Sequence, residues 1–297
     1  MNITIVGPGA IGALWAIKLL QTGHNVSLWS RSFGPSVDLS LDEQVSISFS
    51  NNDKEKLSES DLVLFTVKAW QVEDAITPLL QYIDSDAILM FMHNGMGAVD
   101  AIADLVNTHP VILATTTQAA FKPDRNHVVH TGSGQTQLGA FNQNGKKCTF
   151  LVDVLNHALP SVCWNPEINT ALWTKLSINC AINPLTGLEQ IKNGELSEPR
   201  FSNTLTAIIE ELTQVMQAEG ISCSFDELKT SVNNVIQATA KNNSSMKQDM
   251  FYQRRTEIDF ITGFLLKTAH KHKIDVPVNQ TLFTQVKKQE SSWKKQD

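Results

Sequence analysis

Apolar and polar positions alternate in two different ways along this chain. In the first half, short apolar runs are separated by stretches with helical spacing. Ile3-Thr4-Ile5-Val6 reads as a strand. Ala10 to Gln21 places Ile11, Leu14, Ile17 and Leu20 along one side of a helix, and Gly23 stops it. Val26 to Trp29, Leu62 to Phe65, Ile88 to Met92 and Val111 to Ala114 continue the series of strands. Leu62-Val63-Leu64-Phe65 is uniformly apolar, as a strand covered on both faces must be. This β-α-β rhythm predicts a parallel sheet with helices on both sides. The Thr-, Ser- and Gly-rich stretch Val128 to Leu138 reads as an antiparallel hairpin at the sheet edge.

From about Asn169 the strand pattern gives way to helices. Phe201, Leu205, Ile208, Ile209, Leu212, Val215 and Met216 follow the 3.6-residue period up to Gly220. Ser224 and Glu227 have capping-box spacing. Met246 to His270 reads as one long helix, with Gly263 in its interior, where close approach of another backbone would justify it. The break between the two patterns falls near Trp164-Asn165-Pro166, which divides the chain into domains 1–166 and 167–297.

Gly7-Pro8-Gly9-Ala10-Ile11-Gly12 is a G-x-G-x-x-G motif lying between the first strand and the first helix. In that context it reads as a dinucleotide-binding loop, the alternative being a plain strand–turn–helix with incidental glycines. Gly7 permits the turn, Gly9 lets backbone approach the pyrophosphate, and Gly12 lets helix and strand pack closely. The fold class expected is therefore α/β: an N-terminal Rossmann-type doubly wound sheet followed by an all-α C-terminal domain. Where the second strand ends, Ser30-Arg31-Ser32 stands in place of the acidic residue that would bind a ribose 2′-hydroxyl. An arginine there can pair with a 2′-phosphate, which points to NADPH over NADH, although a plain surface arginine would look the same. Lys68 follows the third strand and lies near the cofactor by topology. Asn94-Gly95 follows the next strand and reads either as part of the same crevice or as a simple turn.

Lys175, Asn179 and Asn183 are spaced i, i+4, i+8, so on a helix they form one polar ladder. Ile168, Leu172 and Ile182 share that face, and polar groups directed into packed protein need partners. A polar substrate or a structural hydrogen-bond network would supply them. Glu257 sits on the apolar stripe of the expected long helix with Met250, Ile261 and Phe264. There it can bind a substrate hydroxyl or pair with Arg254 one turn away. Ser244-Ser245, just before that helix, could present hydroxyl and N–H groups to an anion.

Gly7 to Gly12, Asn94-Gly95-Met96-Gly97, Lys175 to Thr186, Ser244 to Asp249 and Glu257 to Gly263 occur in an order that resembles the ketopantoate reductase family, over residues 7 to 263. The resemblance implies hydride transfer from NADPH to C2 of ketopantoate, giving pantoate for pantothenate and coenzyme A synthesis. It casts Lys175 as general acid and Glu257 as the group holding the substrate's terminal hydroxyl. Asn179, Asn183 and Ser245 match substrate-binding positions. Asn94 matches the asparagine between nicotinamide and lysine, and Arg31, Lys68 and Gln71 match NADPH contacts. His93 departs from the family, which usually has glutamine there, and the Ser32 to Asn52 stretch is short and polar. A reductase of another small 2-keto acid and a non-catalytic NADPH-binding regulator are the competing readings; an intact Lys175 argues against the regulator.

Composition limits partners and compartment. Charged residues make up 18% of the chain and hydrophobic ones 42%, a globular balance. The 24 Lys and Arg against 30 Asp and Glu give a formal net charge of −6, unlike a nucleic-acid binder. Lys287, Lys288, Lys294 and Lys295 read as a solvated helix end. Cys148, Cys163, Cys180 and Cys223 show neither CxxC nor zinc spacing, so no metal is expected and the thiols read as reduced and cytoplasmic. No apolar run is long enough to span a bilayer. The expected partner is a small-molecule substrate, with neither nucleic acid nor membrane, in a monomer or homodimer.

Overall fold

The computed structural model describes residues 1–293. Its contacts divide into two compact units, Met1–His93 with Ala98–Ile168, and Asn94–Gly97 with the chain from Asn169 onward. Among the described residues no helix is long and apolar enough to cross a membrane.

The first unit runs β1 (Asn2–Val6), α1 (Ala10–Gln21), β2 (Asn25–Trp29), β3 (Ser36–Leu41), β4 (Ile47–Ser50), α2 (Lys54–Ser58), β5 (Leu62–Phe65), α3 (Val72–Ile76), β6 (Ile88–Phe91), α4 (Ala103–Val106), β7 (Val111–Thr116), β8 (Ala119–Phe121), β9 (His127–Gly132), β10 (Thr136–Ala140), α5 (Leu151–Ala158) and β11 (Val162–Trp164). Seven strands form one sheet in the order β11-β10-β7-β6-β5-β1-β2. From β2 to β7 the pairing is parallel; β10 then runs antiparallel to β7. All four residues of β5 and of β6 are buried, which their unbroken apolar runs require. The chain leaves β1 toward β2 on one side and returns to β5 on the other. The carboxyl ends of β1 and β5 therefore mark the switch point at which such sheets bind ligands, with Val6 and Phe65 in register there.

The hairpin expected over Val128 to Leu138 does not form. β9 pairs with β8 and β3 in a separate four-stranded sheet, and β10 joins the main sheet. Val128 is fully buried in a cluster with Leu39, Leu41 and Phe49, so β9 is held by packing with β3 and β4 instead of by its sequence neighbour. The chain crosses between sheets at Gly134, where a Cβ would lie 2.3 Å from the Thr117 carbonyl carbon.

The second unit is built from α6 (Ile168–Glu189), α7 (Ser202–Ala218), α8 (Phe225–Ala238), α9 (Ser245–Phe251), α10 (Thr262–His272) and α11 (Pro277–Trp293). Their apolar faces close over Leu176, Ile208, Leu212, Val215, Leu265 and Val286. Ser224 and Glu227 cap α8 reciprocally, as their spacing predicts. The single helix expected over Met246 to His270 is broken. Residues 252–261 are not helical, and at two points their backbone is engaged by distant partners. Gln253 has φ +50°, the Thr256 N–H donates to Glu290, and the Phe260 carbonyl accepts from Met96. Glu257 thus lies in a loop, not on a helical stripe, and the Arg254 guanidinium stacks over the Tyr252 ring. Gly263 is the second residue of α10, where a Cβ would meet the Phe283 ring at 3.1 Å and the Ile258 carbonyl oxygen at 3.4 Å.

The lysines of the C-terminal stretch are not all solvated. Lys287 donates to Asp259 at 2.9 Å, and Lys288 is exposed. Lys294 and Lys295 lie outside the described residues.

Candidate functional site

In the first unit the glycine loop forms as its spacing demands. Gly7 has φ +78°, donates its N–H to the Trp29 carbonyl, and accepts from Thr66 Oγ1 at 2.8 Å. A Cβ on Gly12 would sit 2.2 Å from Thr66 Oγ1 and 2.9 Å from the Gly7 carbonyl oxygen, so that position packs against protein. A Cβ on Gly9 would have only the Gly7 carbonyl oxygen near it, at 3.9 Å. The space above Gly9 is open, and it faces the start of α1. Gly9 caps α1 without a side chain, and the first turn, Ala10, Ile11 and Gly12, carries no acidic residue. Helix-initial amides and their partial positive charge are thus offered to an anion, and these residues fit a dinucleotide pyrophosphate.

At the end of β2, Arg31 is exposed beside a cavity of about 570 Å³, lined also by Ser30, Ser32, Phe33, Asn51 and Asn52. Asn52 Oδ1 accepts from the Ser30 N–H, while Asn51 Nδ2 donates to the carbonyls of Ser32 and Gly34. These two asparagines shape the arginine loop, and sequence reasoning missed them, since Ser32 to Asn52 looked merely polar. Asp53 also borders the cavity, but its carboxylate is engaged in capping α2 through the Glu55 and Lys56 N–H groups. At the end of β5, the Lys68 N–H donates to Gln71 Oε1 at 3.2 Å, so these two residues share one turn beside the glycine loop's strand. Lys122 was also missed. Its half-buried stem carries Nζ to the Pro8 carbonyl at 3.2 Å, and desolvation holds its pKa below the ordinary lysine value against the opposing pull of Asp124.

In the second unit, the Asn94–Gly97 turn is held to the loop between α9 and α10. The Met96 N–H donates to the Phe260 carbonyl at 2.9 Å. Gly95 has φ +82°, and a Cβ there would stand 2.4 Å from the Phe260 carbonyl oxygen. That close approach requires glycine. It brings Asn94 Nδ2 within 3.3 Å of Oε2 of Glu257, a residue only 4% exposed. These contacts place the turn with the helical unit, whereas the sequence boundaries assigned it to the first domain.

Lys175, Asn179 and Asn183 project from one face of α6, and Asn183 is buried. Pro184 interrupts the helix's hydrogen bonding after the ladder. Desolvation of the Lys175 ammonium pushes its pKa down from 10.5 to about 8, while the Glu257 carboxylate pulls the other way. Asn94, Lys175 and Glu257 therefore form one electrostatic group, drawn from three distant parts of the sequence. Ser245 opens α9 and is exposed; the buried hydroxyl is that of Ser244, which caps α9 through the Lys247 N–H and bonds Thr186 Oγ1 at 2.8 Å.

A carbonyl oxygen gaining negative charge is stabilised by an ammonium beside it, and a lysine with a pKa near 8 can give up its proton near neutral pH. The arrangement in the second unit suits acid catalysis on a small polar substrate, and that in the first suits a phosphorylated dinucleotide.

Comparison with known proteins finds matches over both parts of the chain. The family model described as ketopantoate reductase PanE/ApbA matches residues 3–143, and its C-terminal counterpart matches residues 167–290. The 2-dehydropantoate 2-reductase of Vibrio cholerae is 54% identical over 295 residues, covering 99% of this chain and 100% of that protein. The enzyme of the same name from Escherichia coli O157:H7 is 40% identical over 299 residues, covering 99% and 97%. Among solved structures, a PanE/ApbA family ketopantoate reductase from Ralstonia eutropha JMP134 aligns with a TM-score of 0.88 at 25% identity over 99% of this chain and all of that one. A D-mandelate dehydrogenase solved with NADH and anilino(oxo)acetate aligns with a TM-score of 0.89 at 21% identity over 98% and 99%, a likeness of fold alone.

Proposed function

The chain belongs to the ketopantoate reductase family, and we propose that Lys175 and Glu257 carry its reaction, the NADPH-dependent reduction of 2-dehydropantoate to pantoate for pantothenate and coenzyme A synthesis. In this reading residues 1–166 bind the cofactor, and residues 167–297, joined by the turn at Asn94, bind the substrate and supply the acid.

NADPH, when bound, supplies the hydride that adds to the C2 carbonyl carbon. As the carbonyl π bond breaks, negative charge gathers on its oxygen. The Lys175 ammonium stabilises that charge and transfers a proton to the oxygen, leaving a neutral amine and an alcohol. Glu257 accepts the hydrogen bond of the substrate's terminal hydroxyl and fixes the distance from that end to the reacting carbonyl. Asn94 Nδ2, donating to Glu257, holds the carboxylate in place. Asn179, Asn183 and Ser245 offer donors for the substrate's carboxylate end. Gly7 to Gly12, with Pro8, Ala10 and Ile11 between, receive the pyrophosphate; Arg31 pairs with the 2′-phosphate, and Lys68 and Gln71 stand beside it.

The observation that carries this reading is the gathering of Lys175, the buried Glu257 and the Asn94 that donates to it into one group, in which desolvation lowers the Lys175 pKa. The four cysteines are free, which supports a reducing, cytoplasmic setting. The test follows NADPH absorbance with purified protein and ketopantoate, then repeats it with Lys175→Ala and Glu257→Ala. Turnover by the parent with large losses in both variants is expected. Turnover of other 2-keto acids but not ketopantoate would remove the substrate assignment and keep Lys175.

A further inference from the structure

Glu257 lies in a ten-residue stretch, 252–261, that is not itself part of a helix. A loop carboxylate that must meet a substrate hydroxyl at one distance needs an external anchor, and α11 provides one. Glu290 Oε1 accepts from the backbone N–H of Thr256 at 2.8 Å and from Thr256 Oγ1 at 2.7 Å. Thr256 Oγ1 in turn accepts from the Ile258 N–H at 3.2 Å. Both chain neighbours of Glu257 are thereby tied, directly or through one hydroxyl, to a single carboxylate 34 positions away. Glu290 is 7% exposed and Thr256 1% exposed. The other Glu290 oxygen lies 3.3 Å from Lys287 Nζ, and Lys287 also donates to Asp259 at 2.9 Å, on the far side of Glu257.

A carboxylate is costly to bury unless its oxygens are hydrogen-bonded. Here the bonds go to the segment carrying Glu257, where two charge-assisted contacts fix the backbone immediately before it. We propose that Glu290 is a positioning residue of the reaction, setting the place of the Glu257 carboxylate through Thr256 and thereby the affinity for the hydroxylated end of the substrate. The proposal rests on the reading of Glu257 as the hydroxyl-binding group.

The test compares Glu290→Leu, Glu290→Gln, Thr256→Val and Glu257→Ala, each alone, and Glu290→Leu combined with Glu257→Ala. Glu290→Leu should raise KM for ketopantoate about tenfold, the scale of one displaced hydrogen-bond partner. Its NADPH dissociation constant should stay within about twofold, since the glycine loop is untouched. Glu290→Gln keeps an accepting oxygen and should return KM to within about threefold of the parent. In the Glu257→Ala background Glu290→Leu should add nothing further, a non-additivity that a general packing role would not produce. If Glu290→Leu does not fold, Thr256→Val, which removes the hydroxyl and leaves the backbone bond, should still raise KM about threefold. An unchanged KM in Glu290→Leu, or in Thr256→Val where Glu290→Leu does not fold, would overturn the positioning role while a raised KM in Glu257→Ala keeps the reading of Glu257. An unchanged KM in Glu257→Ala would remove both. An undiminished effect of Glu290→Leu in the double variant would also overturn the proposal.

Discussion

Oε2 of Glu257 accepts a hydrogen bond from Nδ2 of Asn94 at 3.3 Å, joining residues 163 positions apart. Asn94 is brought there by Gly95, which alone can pass so close to the Phe260 carbonyl. Replacing Asn94 by Ala removes the donor, and kcat/KM for ketopantoate should fall by roughly ten- to a hundredfold. Asn94→Asp should be worse than Asn94→Ala despite its similar size, because it sets a second carboxylate against Glu257. Steady-state kinetics of the two variants decide this; equal losses would mean that the contact is steric and not electrostatic.

The pKa of Lys175, near 8, has two consequences with opposite signs for activity and stability. With Lys175 as the proposed general acid its protonated form is the active one, so kcat/KM should decline as pH rises through about 8. Glu257 holds that pKa up, so Glu257→Gln should shift the declining limb to lower pH. Stability runs the other way. The folded pKa lies below the ordinary 10.5, so the native state carries fewer protons than the unfolded chain between about 8 and 10.5. Desolvation of the ammonium therefore costs stability in full below about 8, and the cost is relieved as pH rises toward 10.5. Lys175→Met should abolish turnover yet raise stability at pH 7 by about 2 kcal/mol, part of the cost that the shift represents. Denaturant titrations at pH 7 and pH 10 check this, with the gain shrinking at the higher pH.

Much of this was legible because it is local. The glycine loop, the buried β5 and β6, the capping box at Ser224 and the ladder on α6 each depend on residues within about two turns or one strand. What escaped was set from a distance. The apolar period runs through residues 252–261 as though a helix continued, whereas Glu290 and Met96, from other parts of the chain, engage the backbone there. β9 and β10 are adjacent in sequence but join different sheets, because Val128 finds its core with Leu39 and Phe49. Serine spacing could not reveal that Ser244 turns inward to Thr186 while Ser245 stays exposed.

Gly9 and Gly12 have the same side chain for different reasons, and alanine should separate them. At Gly12 the new Cβ would overlap Thr66 Oγ1 and crowd the Gly7 carbonyl, so Gly12→Ala should lower the melting temperature by several degrees and weaken NADPH binding with it. At Gly9 the nearest described atom beyond the chain neighbours is the Gly7 carbonyl oxygen, 3.9 Å from the Cβ. Gly9→Ala should leave melting nearly unchanged while weakening NADPH at least tenfold, because the methyl would fill the space of the proposed pyrophosphate site. Thermal melts and NADPH fluorescence titrations on both variants test the distinction. Parallel losses of stability would show that Gly9 is also a packing residue.

Arg31 is exposed at the mouth of its cavity, on a loop shaped by Asn51 and Asn52, with the nearby Asp53 carboxylate engaged at the start of α2. A guanidinium so placed can serve a 2′-phosphate and has little to offer a 2′-hydroxyl. Arg31→Ala should therefore raise KM for NADPH by roughly ten- to a hundredfold and leave KM for NADH within about twofold, narrowing the preference between the two cofactors. Because the loop's own hydrogen bonds run through Ser30, Ser32 and the asparagines, its shape should survive the substitution. Asn52→Ala, which removes the acceptor for the Ser30 N–H, should loosen the arginine's mount and reproduce part of the same loss. If Arg31→Ala raised both KM values together, the arginine would be acting on the shared part of the dinucleotide, and the 2′-phosphate would have to be read by Lys68 or by another cation of the first unit.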